Sequence, residues 1–202
     1  ALKGTIGTLL LDPKNIRVTA AGVDLVATND EFAESATLTA DLSAANVIAA
    51  MNTVSLTLQA NNDITVETNV DVTGGAGTSN QNLTLQAGRH IVLASTPDTT
   101  TPTNSTGVVT ITMNGGTLSM RYNDEAVGAA GQSVNRDAGT AQLFMATGSS
   151  IVTNNGGLTI AGGTQGILGN ATLTTLSLGT GALTVNGVQN TSITGVISGT
   201  GA

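Results

Sequence analysis

The sequence predicts an all-β chain built as a solenoid of short, stacked strands, and three observations carry that expectation. A five-residue phrase, Leu56-Thr57-Leu58-Gln59-Ala60, returns as Leu83-Thr84-Leu85-Gln86-Ala87, 27 residues on (residue 56 to residue 83). Each copy is followed by a polar triplet and a second apolar strand, Ile64-Thr65-Val66 and then Ile91-Val92-Leu93. Looser echoes follow at Thr110-Ile111-Thr112-Met113, Thr117-Leu118-Ser119-Met120, Leu158-Thr159-Ile160 and Ala182-Leu183-Thr184-Val185. Strands that recur at irregular periods of a few tens of residues mark a stacked-repeat architecture. Composition agrees: 40% of the 202 residues are hydrophobic, but only 1% are aromatic and 9% charged. That mixture suits a thin aliphatic core whose side chains fit between like neighbours one rung above and below.

Taken in order, residues 2–28 read as strands and turns, with Leu9-Leu10-Leu11, then the turn Asp12-Pro13-Lys14-Asn15, then Ile16 and Val18. Pro13 fixes φ, while Asp12 and Asn15 offer side-chain bonds to the local backbone. Residues 29–41 are more acidic and less periodic, carrying Asp30, Glu31, Glu34 and Asp41. The best helix candidate is 43–51: Ser43 can cap, the segment is rich in Ala, and Val47, Ile48 and Met51 share a face. Two turns are too short to stand alone, so this helix must lie against strands. The refrain occupies Val54 to Leu93, with a flexible turn at 74–80; residues 97–107 (PDTTTPTNSTG) read as a polar loop leaving the stack. A second excursion covers 121–140, and Gly/Thr-rich strands resume over 141–202. The whole of 1–202 reads as one solenoid segment, with the most regular coils in 2–96.

Stacking in parallel is favoured over hairpins. Asn114-Gly115, Asn155-Gly156 and Asn186-Gly187 are hairpin signals taken singly. However, Asn-Gly-Gly at 114–116 and again at 155–157 precedes a strand in the same Leu-x-aliphatic register. The same turn before the same strand implies corners aligned in a column, where Asn side chains can ladder. At about 20–25 residues per coil the chain would make roughly eight to ten coils.

Composition also excludes function classes. The formal net charge is −7, no Lys/Arg cluster exists, and Phe32, Tyr122 and Phe144 are far apart. Phosphate neutralisation and base stacking therefore lack material, and no nucleic-acid partner is expected. No apolar run approaches the roughly 20 residues that span a bilayer. Cysteine is absent, which removes disulfides, thiol nucleophiles and Cys-zinc sites. Ala1-Leu2-Lys3-Gly4 leads straight into a strand pattern, so the chain reads as a processed product or a slice of something longer.

The search for chemistry yields little. His90 is the only histidine and reads as a solvated corner residue. No G-x-S-x-G elbow occurs, so no nucleophilic triad is expected. Asp63, Glu67 and Asp71 are spaced by four and read as solvated coil-edge acids and not as a metal site. Gly74-Gly75-Ala76-Gly77-Thr78 opens like a Ca²⁺ nonapeptide but has Ser79 at the sixth position. Thr-x-Thr pairs at 37/39, 110/112 and 172/174 do not recur at one fixed spacing, so no regular hydroxyl array is expected. The candidates for a recognition surface are Asp124, Glu125, Arg136 and Asp137, because loops on a rigid scaffold are where binding resides. Asn82, Asn104, Asn170 and Asn190 each begin an Asn-x-Ser/Thr triplet, which a chain rich in Asn and Thr produces by chance; Asn104, in the polar loop, is the one expected to be well exposed and is the candidate for glycosylation. No catalytic residue, metal or cofactor is predicted.

Several of these words resemble a known family. Gly7-Thr8-Leu9-Leu10-Leu11-Asp12-Pro13-Lys14-Asn15-Ile16, then Leu42-Ser43-Ala44-Ala45, then Val54 to Val66 and Leu83 to Ile91 resemble, in order and spacing, the filamentous-haemagglutinin-type exoproteins of bacterial two-partner secretion. His90 stands where that family often has Asp. The carboxyl half, at Ser192 to Gly201, resembles autotransporter-associated strand repeats. The resemblance implies a right-handed parallel β-helix outside the cell, acting as the structural shaft of a secreted or surface-bound adhesin. Its partners would be an outer-membrane transporter during export and a host or neighbouring-cell surface or glycan, with head-to-tail self-association into filaments. A contact-dependent toxin-delivery stalk is the related alternative. From a different class, a carbohydrate-active lyase or hydrolase built on the same kind of scaffold stays open.

Overall fold

The computed structural model describes residues 8–11, 13–22, 39–74, 80–124 and 136–200. Three parallel sheets organise it. The first contains β1 (Thr8–Leu11), β4 (Ser55–Ala60), β7 (Leu83–Ala87), β10 (Leu118–Tyr122), β13 (Leu158–Gly162) and β16 (Leu183–Asn186), in that order. The second runs β17 (Thr191–Ile193), β14 (Ile167–Leu173), β11 (Thr140–Met145), β8 (Ile91–Leu93), β5 (Ile64–Val66), β2 (Asn15–Thr19) and β3 (Thr39–Ser43). The third holds β18 (Ile197–Gly199), β15 (Thr175–Gly179), β12 (Ser150–Val152), β9 (Thr110–Thr112) and β6 (Val70–Asp71). From β4 onward the chain visits the three sheets in turn, and every pairing between these strands is parallel.

Register follows from the alternation that the sequence shows. Leu56 pairs with Leu83, Leu83 with Leu118, Leu118 with Leu158 and Leu158 with Leu183, so one inward column of leucine crosses five strands of the first sheet. A second inward column sets Leu58, Leu85, Met120, Ile160 and Val185 in line. Between them Thr57, Thr84, Ser119, Thr159 and Thr184 are aligned on the opposite face. One core cluster threads all three sheets, from Ile16 and Val18 through Ile91 and Leu93 to Leu173 and Leu176. A one-residue slip would turn each column inside out, so the repeated Leu-x-Leu spacing fixes the register.

The Asn-Gly turns carry the chain from one sheet into the next and do not fold it back as hairpins. Gly115 and Gly187 have φ of 82° and 61°, and Asn155 has 78°. Beside them, a Cβ on Gly116 would strike the carbonyl of Gln81, one on Gly156 that of Gly116, and one on Gly181 that of Gly156. Glycine at this corner is thus required by the close stacking of backbone on backbone. Asn side chains bridge rungs, though mostly to backbone: Asn154 donates to the Met113 carbonyl at 2.8 Å, and Asn155 accepts from Thr180 N–H at 3.0 Å. Asn190 and Asn170 form an amide-to-amide step at 3.3 Å.

Four sequence expectations change in detail. The helix, α1 (Ala44–Met51), is capped by Ser43, whose hydroxyl accepts from Asn46 N–H at 3.1 Å. It buries Val47 and Met51, packs against β3, β4 and β6, and leaves Ile48 half-buried. Residues 97–107 do not leave the stack: a single 3₁₀ turn at Pro102–Asn104 lies against β11, and Thr96 and Thr106 form an antiparallel bridge. Beneath lies a small outer apolar cluster of Val92, Ala94 and Ala146 with Phe144, which needs cover from water. The second excursion is shorter than 121–140, because β10 extends to Tyr122 and β11 begins at Thr140. The described chain makes five complete circuits of the three sheets, fewer than eight to ten, since the insertions consume residues without adding rungs. Residues 75–79 of the predicted 74–80 turn, most of the acidic 29–41 stretch and Glu125 lie outside the described residues.

Candidate functional site

The corner between the first and second sheets gathers the chemistry. On one rung it is Asn61-Asn62-Asp63, joining β4 to β5; on the next it is Gly88-Arg89-His90, joining β7 to β8. Parallel stacking sets Asn62 beside Arg89, with Arg89 N–H donating to the Asn62 carbonyl at 2.8 Å. The Arg89 guanidinium grips Asp63, its Nε donating to Oδ1 at 2.9 Å, with a second bond to Oδ2. Asp63 accepts two further bonds, from His90 N–H at 3.1 Å and from Asn62 Nδ2 at 3.1 Å. Burial disfavours the Arg89 cation, but the hydrogen bond and charge of Asp63, together with the charge of Asp137, raise its pKa above the ordinary arginine value.

Sequence reasoning placed His90 and Asp63 in solvent, and the structure corrects both. Each is 4% exposed. Nδ1 of His90 accepts the Gln142 backbone N–H at 3.0 Å, which pins the start of β11 to the rung below. Burial, with Arg89 and Arg136 nearby, lowers the imidazole pKa to about 4, against the pull of Asp63. The ring is therefore an uncharged acceptor at neutral pH. Glu67 is likewise sheltered: burial would raise its carboxyl, yet bonds from Arg17 and Thr65 hold it below the usual value. Only Asp71 of the three spaced acids is exposed, and it caps Thr73 N–H at 2.9 Å.

The recognition candidates are brought to this same corner in part. Arg136 and Asp137 fold back over it and do not stand free. Arg136 donates to the carbonyls of Gly88, Asp137 and Gly139 and to Asn123 Oδ1. Asp137 accepts from Lys14 Nζ at 2.9 Å and from Asn62 Nδ2 at 2.9 Å, and its own N–H donates to Asn62 Oδ1 at 3.1 Å. The segment thus straps three rungs, those of Lys14, Asn62 and Arg89. Asp124 is held apart from this strap by Arg121 Nε. Asn123, fully buried at φ 54°, anchors the departure by donating to the Gly163 and Gly166 carbonyls.

Between this strap and residues 97–99 lies a cleft of ≈ 370 Å³ on the outer side of the second sheet. Its lining includes Asn15, Arg17, Thr39, Asn62, Thr65, Glu67, Pro97, Thr99 and Asp137. Arg17 holds Glu67 in a fork, Nε to Oε1 at 2.7 Å and a terminal nitrogen to Oε2 at 3.0 Å, and stands 3.4 Å from Asp41. Arg17 and Asn62 were not singled out from the sequence, where Lys14 and Asn15 read only as turn residues and Thr39 only as one of a Thr-x-Thr pair. A signal existed: the 27-residue offset of the refrain sets Asp63 opposite His90 and next to Arg89, and Arg17 is the polar residue between inward Ile16 and Val18. Exposure does not single out Asn104, because Asn82, Asn170 and Asn190 are exposed as well.

With the geometry described, the chain was compared with known proteins. No family model, curated protein or solved structure matches it. Among the described residues no group of three or more His, Asp or Glu is placed to hold a metal ion, and no helix is long and apolar enough to cross a membrane. What the corner can do chemically is present fixed hydrogen-bond donors and acceptors beside a solvent-open cleft.

Proposed function

We propose that this chain is a right-handed parallel β-helix serving as the structural shaft of a secreted or cell-surface bacterial adhesin, of the filamentous-haemagglutinin type its sequence words resemble. One observation carries the reading: in all three sheets the strands from β4 to β15 each pair in parallel with their counterpart one circuit later. Growth by repeated circuits extends a body along one axis, with unpaired strand edges at the two ends only. Right-handed winding follows from the strong preference for right-handed crossovers between parallel strands. Lys14, Arg17, Asp63, Glu67, Arg89 and Asp137 form ion pairs around one corner, while residues 138–200 carry no charged side chain. That division suits a mechanical rod with one displayed surface.

The reading is tested on the purified chain and on the cell. Electron microscopy is expected to show a narrow rod, and surface biotinylation of producing bacteria to label it only when an outer-membrane transporter is present. Turnover of acidic polysaccharides, with or without Ca²⁺, would overturn the shaft in favour of an enzyme.

A further inference from the structure

We propose that the cleft beside Arg17 and Glu67 binds an uncharged, polyhydroxylated ligand: a short run of neutral sugar units at the surface to which the shaft attaches. The inference rests on the shaft reading for its biological setting and on the cleft alone for its chemistry.

Placement is the first ground. Two insertions far apart in sequence, around Thr99 and around Asp137, come together on one outer strip of the second sheet. Arg89 touches both, standing 3.9 Å from the Asp137 carboxylate and 3.4 Å from the Thr99 carbonyl. A shaft needs neither insertion to continue its stack, and their convergence creates the ≈ 370 Å³ recess. That volume falls toward the small end of ligand pockets, which run from about 300 to 1,000 Å³.

Charge balance is the second. Each cation at the cleft already faces an anion: Arg17 with Glu67, Arg89 with Asp63, Lys14 with Asp137. Asp41, 3.4 Å from Arg17, adds a fourth carboxylate to these three pairs, so an anionic ligand meets surplus negative charge and cations that already have partners. An apolar ligand would strip water from these groups and return nothing for it. A ligand with a donor and an acceptor on adjacent atoms avoids both costs, and vicinal hydroxyls are that arrangement.

Preorganisation is the third. Glu67 is fixed by Arg17 and by the Thr65 hydroxyl at 2.9 Å, so its position is set before any ligand arrives. Arg17 uses two nitrogens on Glu67 and sets the third 3.4 Å from Asp41, yet a guanidinium carries five N–H groups, so N–H donors remain beyond these contacts. The exposed Thr39 hydroxyl and the half-exposed Asp137 carboxylate supply the rim. Among the described residues no aromatic face lines the recess. Affinity then comes from hydrogen bonds alone, and the dissociation constant is expected in about the millimolar range.

Saturation-transfer NMR on the whole chain tests this with lactose, maltotriose, xylobiose, mannobiose and N,N′-diacetylchitobiose, against digalacturonate and a heparin-derived disaccharide. At least one neutral sugar is expected to bind, more tightly than either anion at low salt. Arg17→Met is expected to weaken that binding about tenfold, the loss of one charge-assisted hydrogen bond. Thr39→Val, on an exposed position whose change spares the fold, is expected to weaken it too; circular dichroism checks both variants. No binding by any neutral sugar, preference for an anion, or binding that ignores both substitutions would overturn the proposal. Cleavage of a bound sugar would sink the shaft reading while leaving the site in place. A rod that binds none of the neutral sugars would do the reverse.

Discussion

Asp63 takes four hydrogen bonds while almost wholly shielded from water, and that arrangement sets the energetics of the corner. A buried ion pair contributes little relative to a well-packed apolar pair, but removing one partner leaves an uncompensated charge. Arg89→Met is therefore expected to cost about 3 kcal/mol, read as a lowered urea midpoint. The double variant Arg89→Met/Asp63→Asn should recover part of that loss. His90 makes a separate, pH-dependent contribution. Its pKa is lowered from 6.5 to about 4 in the folded chain, so the unfolded chain binds the proton more tightly. Its stabilisation is thus fully present above about pH 6.5 and is lost as pH falls toward 4, about 3 kcal/mol in all. The groups facing it are Asp63, Arg89, Arg136 and the Gln142 amide. His90→Asn keeps an acceptor for Gln142 N–H and should flatten the stability profile between pH 6.5 and 4.5. Glu67 and Asp137, whose carboxyls are held below their usual values, weaken the fold only at lower pH and so serve as an internal control.

At the scale of elements, the corner glycines and the insertions do different work. Gly116, Gly156 and Gly181 form a column in which each lacks a Cβ because a carbonyl of the neighbouring rung occupies that place. Backbone on both sides cannot give way as a side-chain end would. Gly156→Ala is expected to destabilise by about 3 kcal/mol, seen as a lower melting temperature. Gly74→Ala, where nothing lies within 4 Å, is expected to leave melting nearly unchanged. The insertions act as covers and straps: the 3₁₀ turn shields Phe144 and its neighbours, and Asp137 ties Lys14 to Asn62. Neither role is visible in composition, where both segments look like polar loops.

Over the whole molecule, stability is expected to be graded along the stack, since within each sheet a strand pairs only with those of adjacent circuits. In β13, Leu158 and Ile160 are fully buried, whereas Leu183 and Val185 in β16 are half-buried and Ile197 in β18 is 49% exposed. Amide hydrogen exchange should therefore be slow at Leu158–Ile160 and markedly faster at Leu183–Val185. Uniform protection across these strands would mean that the stack unfolds as one unit and not rung by rung.

What the sequence by itself determined was the strand content, the inward columns and the parallel order. Leu-x-Leu alternation decides which face is buried, and the recurrence of one turn before one strand decides stacking over hairpins. Ser43 and the alanine-rich segment after it likewise announced α1. Tertiary structure alone decided the corner. The 27-residue offset held between β4 and β7, but longer insertions interrupt the later circuits, so position in sequence no longer gives position in the stack. Asp63 and His90 looked solvated because each is polar and lies in a turn; their burial depends on Arg136 and Asp137, more than 40 residues away, folding back across three rungs. Hydrophobic periodicity is a local property and can be read along the chain. The pairing of charges across an insertion is a property of the folded surface, and it decided where this molecule keeps its chemistry.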